Sequence, residues 1–137
     1  MRVSWAGVFP AATTQFAPDL SVDFAATQKV QDALVRDGVH GLIVMGTVGE
    51  NNSLEPDEKR AVLQGAVEAV AGRVPVIAGV SEFDTKRAIA FARDAERLGA
   101  DGLMLLPAMV YVPAEAELVA HFRAVSEATA LPIMLYN

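Results

Sequence analysis

Gly46-Thr47-Val48-Gly49-Glu50 follows directly on the apolar run 41–45, so a hydroxyl and a carboxylate arrive where that run must stop. A turn flanked by glycines can expose consecutive backbone N–H groups, because glycine accepts dihedrals that other residues resist. Such a row of donors binds a carboxylate, and the Thr47 hydroxyl adds a further donor or relays a proton. The same two glycines also suit a plain tight turn, and on five residues the two readings carry equal weight. Comparable polar groups close the other apolar runs: Thr13 and Thr14, Ser81 and Glu82, Pro107 with the stretch to Tyr111, and finally Tyr136 and Asn137. Hydroxyls recur in this set and arginine is absent from it. It suits a small carboxylate or carbonyl compound held by neutral donors, rather than a phosphate or a metal.

The remaining titratable groups read as structural. Glu50 and Glu82 could pair for acid–base work, but nothing in their spacing fixes a separation, and solvated or structurally paired acids are the commoner outcome. His40 falls in a helix-to-strand turn and His121 on a helical face, neither with a neighbour at metal-ligand spacing. Lys29, Lys59 and Lys86 fall on amphipathic segments, where solvated positions are the rule. A lysine nucleophile needs burial or a cationic neighbour, and the sequence shows neither. Tyr136, taken alone, reads as a half-buried packing residue.

The elements that must position these groups alternate in type. Residues 6–16 read as a first strand with its outgoing loop, and 21–38 as a helix with Val22, Ala26, Val30, Ala33 and Leu34 at helical spacing, stopped by Gly38. A strand at 41–46 precedes a helix entered through Ser53 and Pro56 and closed by Gly72. A strand at 74–80, a helix at 84–99 with Asp84 as N-cap and Gly99 as stop, and a strand at 102–107 follow. A helix at 114–129 and a strand at 131–137 complete the order β-α-β-α-β-α-β-α-β. The strands are near-continuous apolar runs, as a parallel sheet covered on both faces requires. The helix-to-strand joins at 37–46 and 98–107 resemble one another, and no linker or low-complexity stretch interrupts the series.

A regular βα repeat is met by an open doubly wound sheet or by a closed (β/α)8 barrel. No G-x-G-x-x-G opens a helix here, which favours the barrel. Eight units need roughly 250 residues, whereas five strands and four helices are present. The reading is therefore one α/β domain over 1–137, the N-terminal part of a (β/α)8 barrel. In such a barrel the strand C-termini carry the chemistry.

The 137 residues are 53% hydrophobic and 20% charged, an ordinary balance for a globular chain able to build a core. A net charge of −6 and a pI near 4.8, with no cluster of Lys or Arg, argue against nucleic acid or an anionic membrane as partner. Cysteine is absent, which excludes disulfide frameworks and thiolate zinc sites. The first ten residues lack the pattern of a signal peptide, and no apolar run reaches a membrane-spanning length. A cytoplasmic protein handling a small molecule is expected.

The motifs in order, "GVFPAATTQF", "DGVHGLIVMGTVGENNSLEPDEKRAV", "GRVPVIAGVSEFDTKRAIAFARDAERLGADGLMLLP" and "LPIMLYN", resemble the dihydrodipicolinate synthase / N-acetylneuraminate lyase family, and correspond to the N-terminal half of a member. The resemblance implies a (β/α)8 barrel that condenses a strand-borne lysine with pyruvate or another 2-oxo acid, without cofactor or metal. It implies that Tyr136 relays a proton and hydrogen-bonds substrate, that Thr47 links it to solvent or to a second tyrosine, and that the backbone at Thr47 and Val48 holds the substrate carboxylate. It also implies a homo-oligomer, with Tyr111 as candidate for the tyrosine offered to a partner subunit.

Three departures from the family pattern stand out. Val48 replaces a second hydroxyl of the motif. The stretch Pro107-Ala108-Met109-Val110-Tyr111 replaces a P-Y-Y pattern. The Schiff-base lysine, expected one strand beyond Tyr136, lies outside residues 1–137. The first two favour a relative acting on a different 2-oxo acid, such as a sugar-acid aldolase or dehydratase or a cyclic imino acid deaminase. Two other readings remain: a non-catalytic half-barrel that binds a small carboxylate or self-assembles, and an unrelated doubly wound binding domain.

Overall fold

A computed structural model describes residues 3–108 and 110–136. Its elements are α1 (Phe24–Arg36), β1 (Leu42–Val44), α2 (Pro56–Val70), β2 (Val76–Val80), α3 (Thr85–Arg97), β3 (Gly102–Leu105), α4 (Glu115–Ser126) and β4 (Ile133–Leu135). The strands form one parallel sheet in the order β1-β2-β3-β4, with Ile43 beside Ile77, Ala78 beside Leu103 and Met104 beside Met134. Spatial order follows chain order without reversal, whereas a doubly wound sheet reverses at a switch point.

The two faces of the sheet are covered differently. Every helix packs on the face that carries Leu42, Val44, Val76, Ala78, Val80, Leu103 and Leu105. Val62, Leu63, Ala66 and Val70 of α2 and Ala88, Phe91, Ala92 and Ala95 of α3 form the bulk of that cover. The opposite face presents Ile43, Ile77, Met104 and Leu106, packed by Val3, Phe9 and Met134 and by no helix. Helices confined to one face are what a barrel wall requires, the other face turning inward.

Local sequence explains the helix ends. Asp23 accepts from the Ala26 N–H at 2.9 Å and Asp84 from the Arg87 N–H at 2.8 Å, so two helices begin on a side-chain cap. Pro56 occupies the first turn of α2, where its missing N–H costs nothing. α1 and α3 run out into Gly38 (φ 87°) and Gly99 (φ 90°), in the left-handed region that ends a helix.

The first expected strand is not one. Residues 6–16 make a single parallel bridge, Ala11 to Ile43, through Ala12 N–H to Ile43 O (2.8 Å) and Ile43 N–H to Pro10 O (3.0 Å). Pro10 has no N–H to give and Gly7 turns at φ 103°, so the ladder cannot extend backwards. The segment nevertheless covers the free edge of β1. At the strand N-termini the rings of Trp5 and Phe9 lie over glycines: a Cβ on Gly41 would collide with Phe9 Cε1, and one on Gly102 would meet Trp5 Cη2 at 3.2 Å.

An ion cluster ties α2 to α3. Asp94, 7% exposed, accepts from Arg60 Nε at 2.6 Å and also pairs with Arg97. Burial alone would raise the Asp94 carboxyl, but hydrogen bonds and charge from Arg60 and Arg97 outweigh it and hold it below its ordinary value of 3.8. A depressed carboxyl stabilises the fold above its unfolded value and loses that contribution as pH falls through its folded one. Urea midpoints measured from about pH 5 down to about pH 2 should fall, and Asp94→Asn should flatten that fall while lowering the neutral-pH plateau. Leu63→Ala, at a fully buried position of α2, should cost about 3 kcal/mol in the same assay.

Candidate functional site

Because all four strands run the same way, their C-terminal ends share one edge of the sheet. β1 ends there abruptly. Val44 still pairs with Ala78, but Met45 turns into the left-handed region (φ 56°) and the chain leaves the ladder. Gly46 to Glu50 then form a turn closed by Glu50 N–H to Thr47 O at 3.1 Å and Asn51 N–H to Gly46 O at 3.4 Å. Thr47 and Val48 are exposed, Val48 by 56%. Among the described residues, no protein atom accepts from the N–H of either. Two adjacent free donors and a free hydroxyl are what an anionic carboxylate group needs.

The glycines serve this turn in a way the sequence reading did not anticipate. The left-handed residues are Met45 and Glu50 (φ 56° each), not Gly46 or Gly49. Glycine is required here by close approach. A Cβ on Gly49 would lie 2.7 Å from Met45 N and 3.0 Å from Ala12 O, and one on Gly79 would lie 2.2 Å from Met45 O. Side-chain bonds hold the turn from both flanks. Thr14 Oγ1 donates to Gly49 O at 2.7 Å, and Asn51 Nδ2 donates to Gly79 O at 3.1 Å, both buried.

The other expected site residues are placed as follows. Tyr136 stands at the end of β4, its N–H bonded to Leu105 O at 2.9 Å and its side chain 55% exposed. Alternation along the strand puts it in phase with Met134, which packs on the helix-free face. β1 and β4 are three strand positions apart, about 14 Å measured in the sheet. No hydrogen bond joins Thr47 to Tyr136 among the described residues. Tyr111, 60% exposed, approaches Glu117 Oε1 at 3.4 Å in its own chain. Met109 and Asn137 lie outside the described residues.

Lys59 corrects the expectation of a solvated helix face. It is 6% exposed, and its ammonium pairs with Glu82 Oε1 at 2.6 Å. The signal was present in the sequence: Lys59, Val62, Leu63, Ala66 and Val70 fall on a single helical stripe, and all are buried. Glu82 is thereby a structural partner of Lys59 and not a second acid for the exposed Glu50. Lys29 and Lys86 are exposed as expected. His40 Nδ1 accepts from Val8 N–H at 3.0 Å, and buried His121 shares a hydrogen bond with Thr85 Oγ1 at 2.9 Å, so both serve local structure. No three His, Cys, Asp or Glu among the described residues converge as a metal site. No helix among them is long and apolar enough to cross a membrane. Asn51 escaped the sequence reading, since only the folded turn shows which carbonyl it meets.

Lys59→Met should cost about 3 kcal/mol by urea unfolding, because it strands the Glu82 carboxylate, while the double change with Glu82→Leu should recover most of that loss. Gly79→Ala should cost about 3 kcal/mol, since its methyl can be accommodated only by moving the Met45 backbone.

Comparison with known proteins places the chain among relatives of known family and fold. Residues 4–137 match the model of the dihydrodipicolinate synthetase family. The chain is 41% identical over 135 residues to the 4-hydroxy-tetrahydrodipicolinate synthase of Desulforamulus reducens, covering 98% of this chain and 46% of that protein. It superposes at a TM-score of 0.93 on YagE, a prophage protein of the dihydrodipicolinic acid synthase family from E. coli K12 solved in complex with pyruvate, with 32% identity over 98% of this chain and 45% of that one. The N-acetylneuraminate lyase of Mycoplasma synoviae superposes at 0.90 with 28% identity, covering 96% and 46% of the two chains. The chain thus spans a little under half the length of the relatives it matches, and its four strands and four helices form part of a (β/α)8 barrel. With the family match and the fold in agreement, the chain belongs to the dihydrodipicolinate synthetase family.

Proposed function

We propose that this chain is the part of a Schiff-base lyase that binds and protonates a 2-oxo acid, pyruvate or a close relative. The observation that carries the reading is the turn after β1, where the N–H groups of Thr47 and Val48 stand free beside an exposed hydroxyl. A 2-oxo acid presents a carboxylate next to a ketone. The turn holds the carboxylate, and the ketone carbon is left to a lysine supplied from outside residues 1–137. Addition of the amine forms a C–N bond, and loss of the ketone oxygen as water gives the iminium. Tyr136, in phase with the helix-free inner face, reaches across the curved wall of the closed barrel to carry the proton to that oxygen, with Thr47 handing protons on towards solvent. Carbon–carbon cleavage or condensation, dehydration and deamination all proceed from the iminium as electron sink. Val48, in place of a hydroxyl, leaves the carboxylate to backbone donors and Thr47.

The site is completed by a second copy of the chain. Val110, Tyr111 and Val112 are 63%, 60% and 95% exposed on the segment before α4, an apolar surface that supports self-association. Tyr111 is the group this segment would offer to the neighbouring site.

Borohydride reduction in the presence of pyruvate tests the assignment of roles. Residues 1–137 alone should take up no covalent adduct in intact-mass measurement, and a stable adduct on this chain would refute an external lysine. In the complete barrel, Tyr136→Phe should lower kcat by about 100-fold or more while leaving pyruvate binding within a few-fold.

A further inference from the structure

Asn51 stands at the point where β1 abandons the sheet. Val44 is the last residue of β1 to pair with β2, opposite Ala78. The next carbonyl of β2, Gly79 O, would go without a β1 partner, because Met45 has turned to φ 56°. Asn51 Nδ2 supplies the missing donor at 3.1 Å from a side chain only 1% exposed. A buried carbonyl left unmet is costly, so this bond has a single favourable geometry. Asn51 also closes the turn with its own N–H to Gly46 O. On the far side, Thr14 Oγ1 reaches Gly49 O at 2.7 Å from a residue 7% exposed. The five-residue turn is therefore fixed to β2 by one side chain and to the segment beside β1 by another. Neither side chain hydrogen-bonds the free N–H groups of Thr47 and Val48.

We propose that Asn51 and Thr14 are positioning residues, which clamp the Gly46–Glu50 turn so that the Thr47 and Val48 N–H groups stay aimed at the substrate carboxylate. The proposal rests on the 2-oxo acid reading above, and gives it a mechanical basis. Carboxylate affinity from two N–H donors depends on both being aligned before the ligand arrives, since any freedom in the turn is lost on binding.

The test is amide NMR of the full chain labelled with nitrogen-15, titrated with pyruvate, for the wild type and four variants. Asn51→Asp places a carboxylate against Gly79 O, and Asn51→Leu removes the donor while keeping the branching of the side chain. Thr14→Val removes the hydroxyl, and Thr14→Ser keeps it. Asn51→Asp, Asn51→Leu and Thr14→Val should lower the order parameters of the Thr47, Val48 and Gly49 amides from the rigid range near 0.85 towards about 0.6. They should weaken pyruvate binding about tenfold, with amides of α2 and α3 unmoved, and Thr14→Ser should restore both quantities. Order parameters that stay high in all variants would overturn the clamp. A loosened turn with unchanged pyruvate affinity would overturn its role in binding. A wild-type chain that leaves the Thr47 and Val48 amides unmoved by pyruvate would sink the 2-oxo acid reading itself, a result separable from the clamp because turn order is read without ligand. Should Asn51→Leu fail to fold, Thr14→Val and Thr14→Ser decide the matter on their own.

Discussion

The backbone of Met45 passes so close to Gly79 that no side chain fits between them. That contact sets the height at which β1 leaves the sheet. With Met45 O 2.2 Å from where a Cβ would sit, β2 must carry glycine at this position, and β1 must bend away immediately above it. The bend appears as the left-handed Met45, a conformation that costs a non-glycine residue about 1 kcal/mol and persists only where the surroundings enforce it. Everything at the strand-end edge follows from this approach: the free N–H groups, the carbonyl that Asn51 must satisfy, and the outward placement of Thr47.

The rest of the chain supplies a platform stiff enough to hold that geometry. Four helices cover one face of the sheet, and the cover is interlocked by Lys59 with Glu82 and by Arg60 and Arg97 with Asp94. Breaking either cluster leaves a buried charge, so these groups specify how α2 and α3 sit relative to β2 more than they add net stability. The end of β2 is where Glu82, Ser81 and Gly79 O all lie. Helix packing and the turn are thus joined through residues 79–82, the end of β2 and the two residues after it.

Much of this was legible in the sequence because its signals are local. Apolar runs gave the strands of the sheet, and Asp84 before a periodic segment gave a helix start, whereas the Asp23 cap shows only in the fold. Gly38 and Gly99 gave two helix ends, and the polar residues at the ends of apolar runs fall on the C-terminal edge of the parallel sheet. What could not be read depends on residues far apart in the chain. Residues 6–16 have the composition of a strand, yet Pro10 and Gly7 reduce the pairing with β1 to one bridge. Gly46 and Gly49 look like conformational hinges but are dictated by neighbouring backbone. Lys59 follows the apolar stripe of its helix, yet only the partner 23 residues later explains how a lysine can sit there. Asn51 and Thr14 are small polar residues next to a motif, and only the fold shows the carbonyls they serve.

Trp5 sits at the opposite end of the sheet from the turn, its ring over Gly102 and 6.4 Å from that of Phe9. It is the chain's single tryptophan. The molecule therefore carries a built-in optical probe of one end only. Its emission reports whether the N-terminal segment is seated against the strand N-termini, and it stays blind to occupancy at the strand C-termini. Fluorescence-detected unfolding and amide-detected binding consequently observe opposite poles of the same sheet, and a disagreement between them would measure how independently those poles behave.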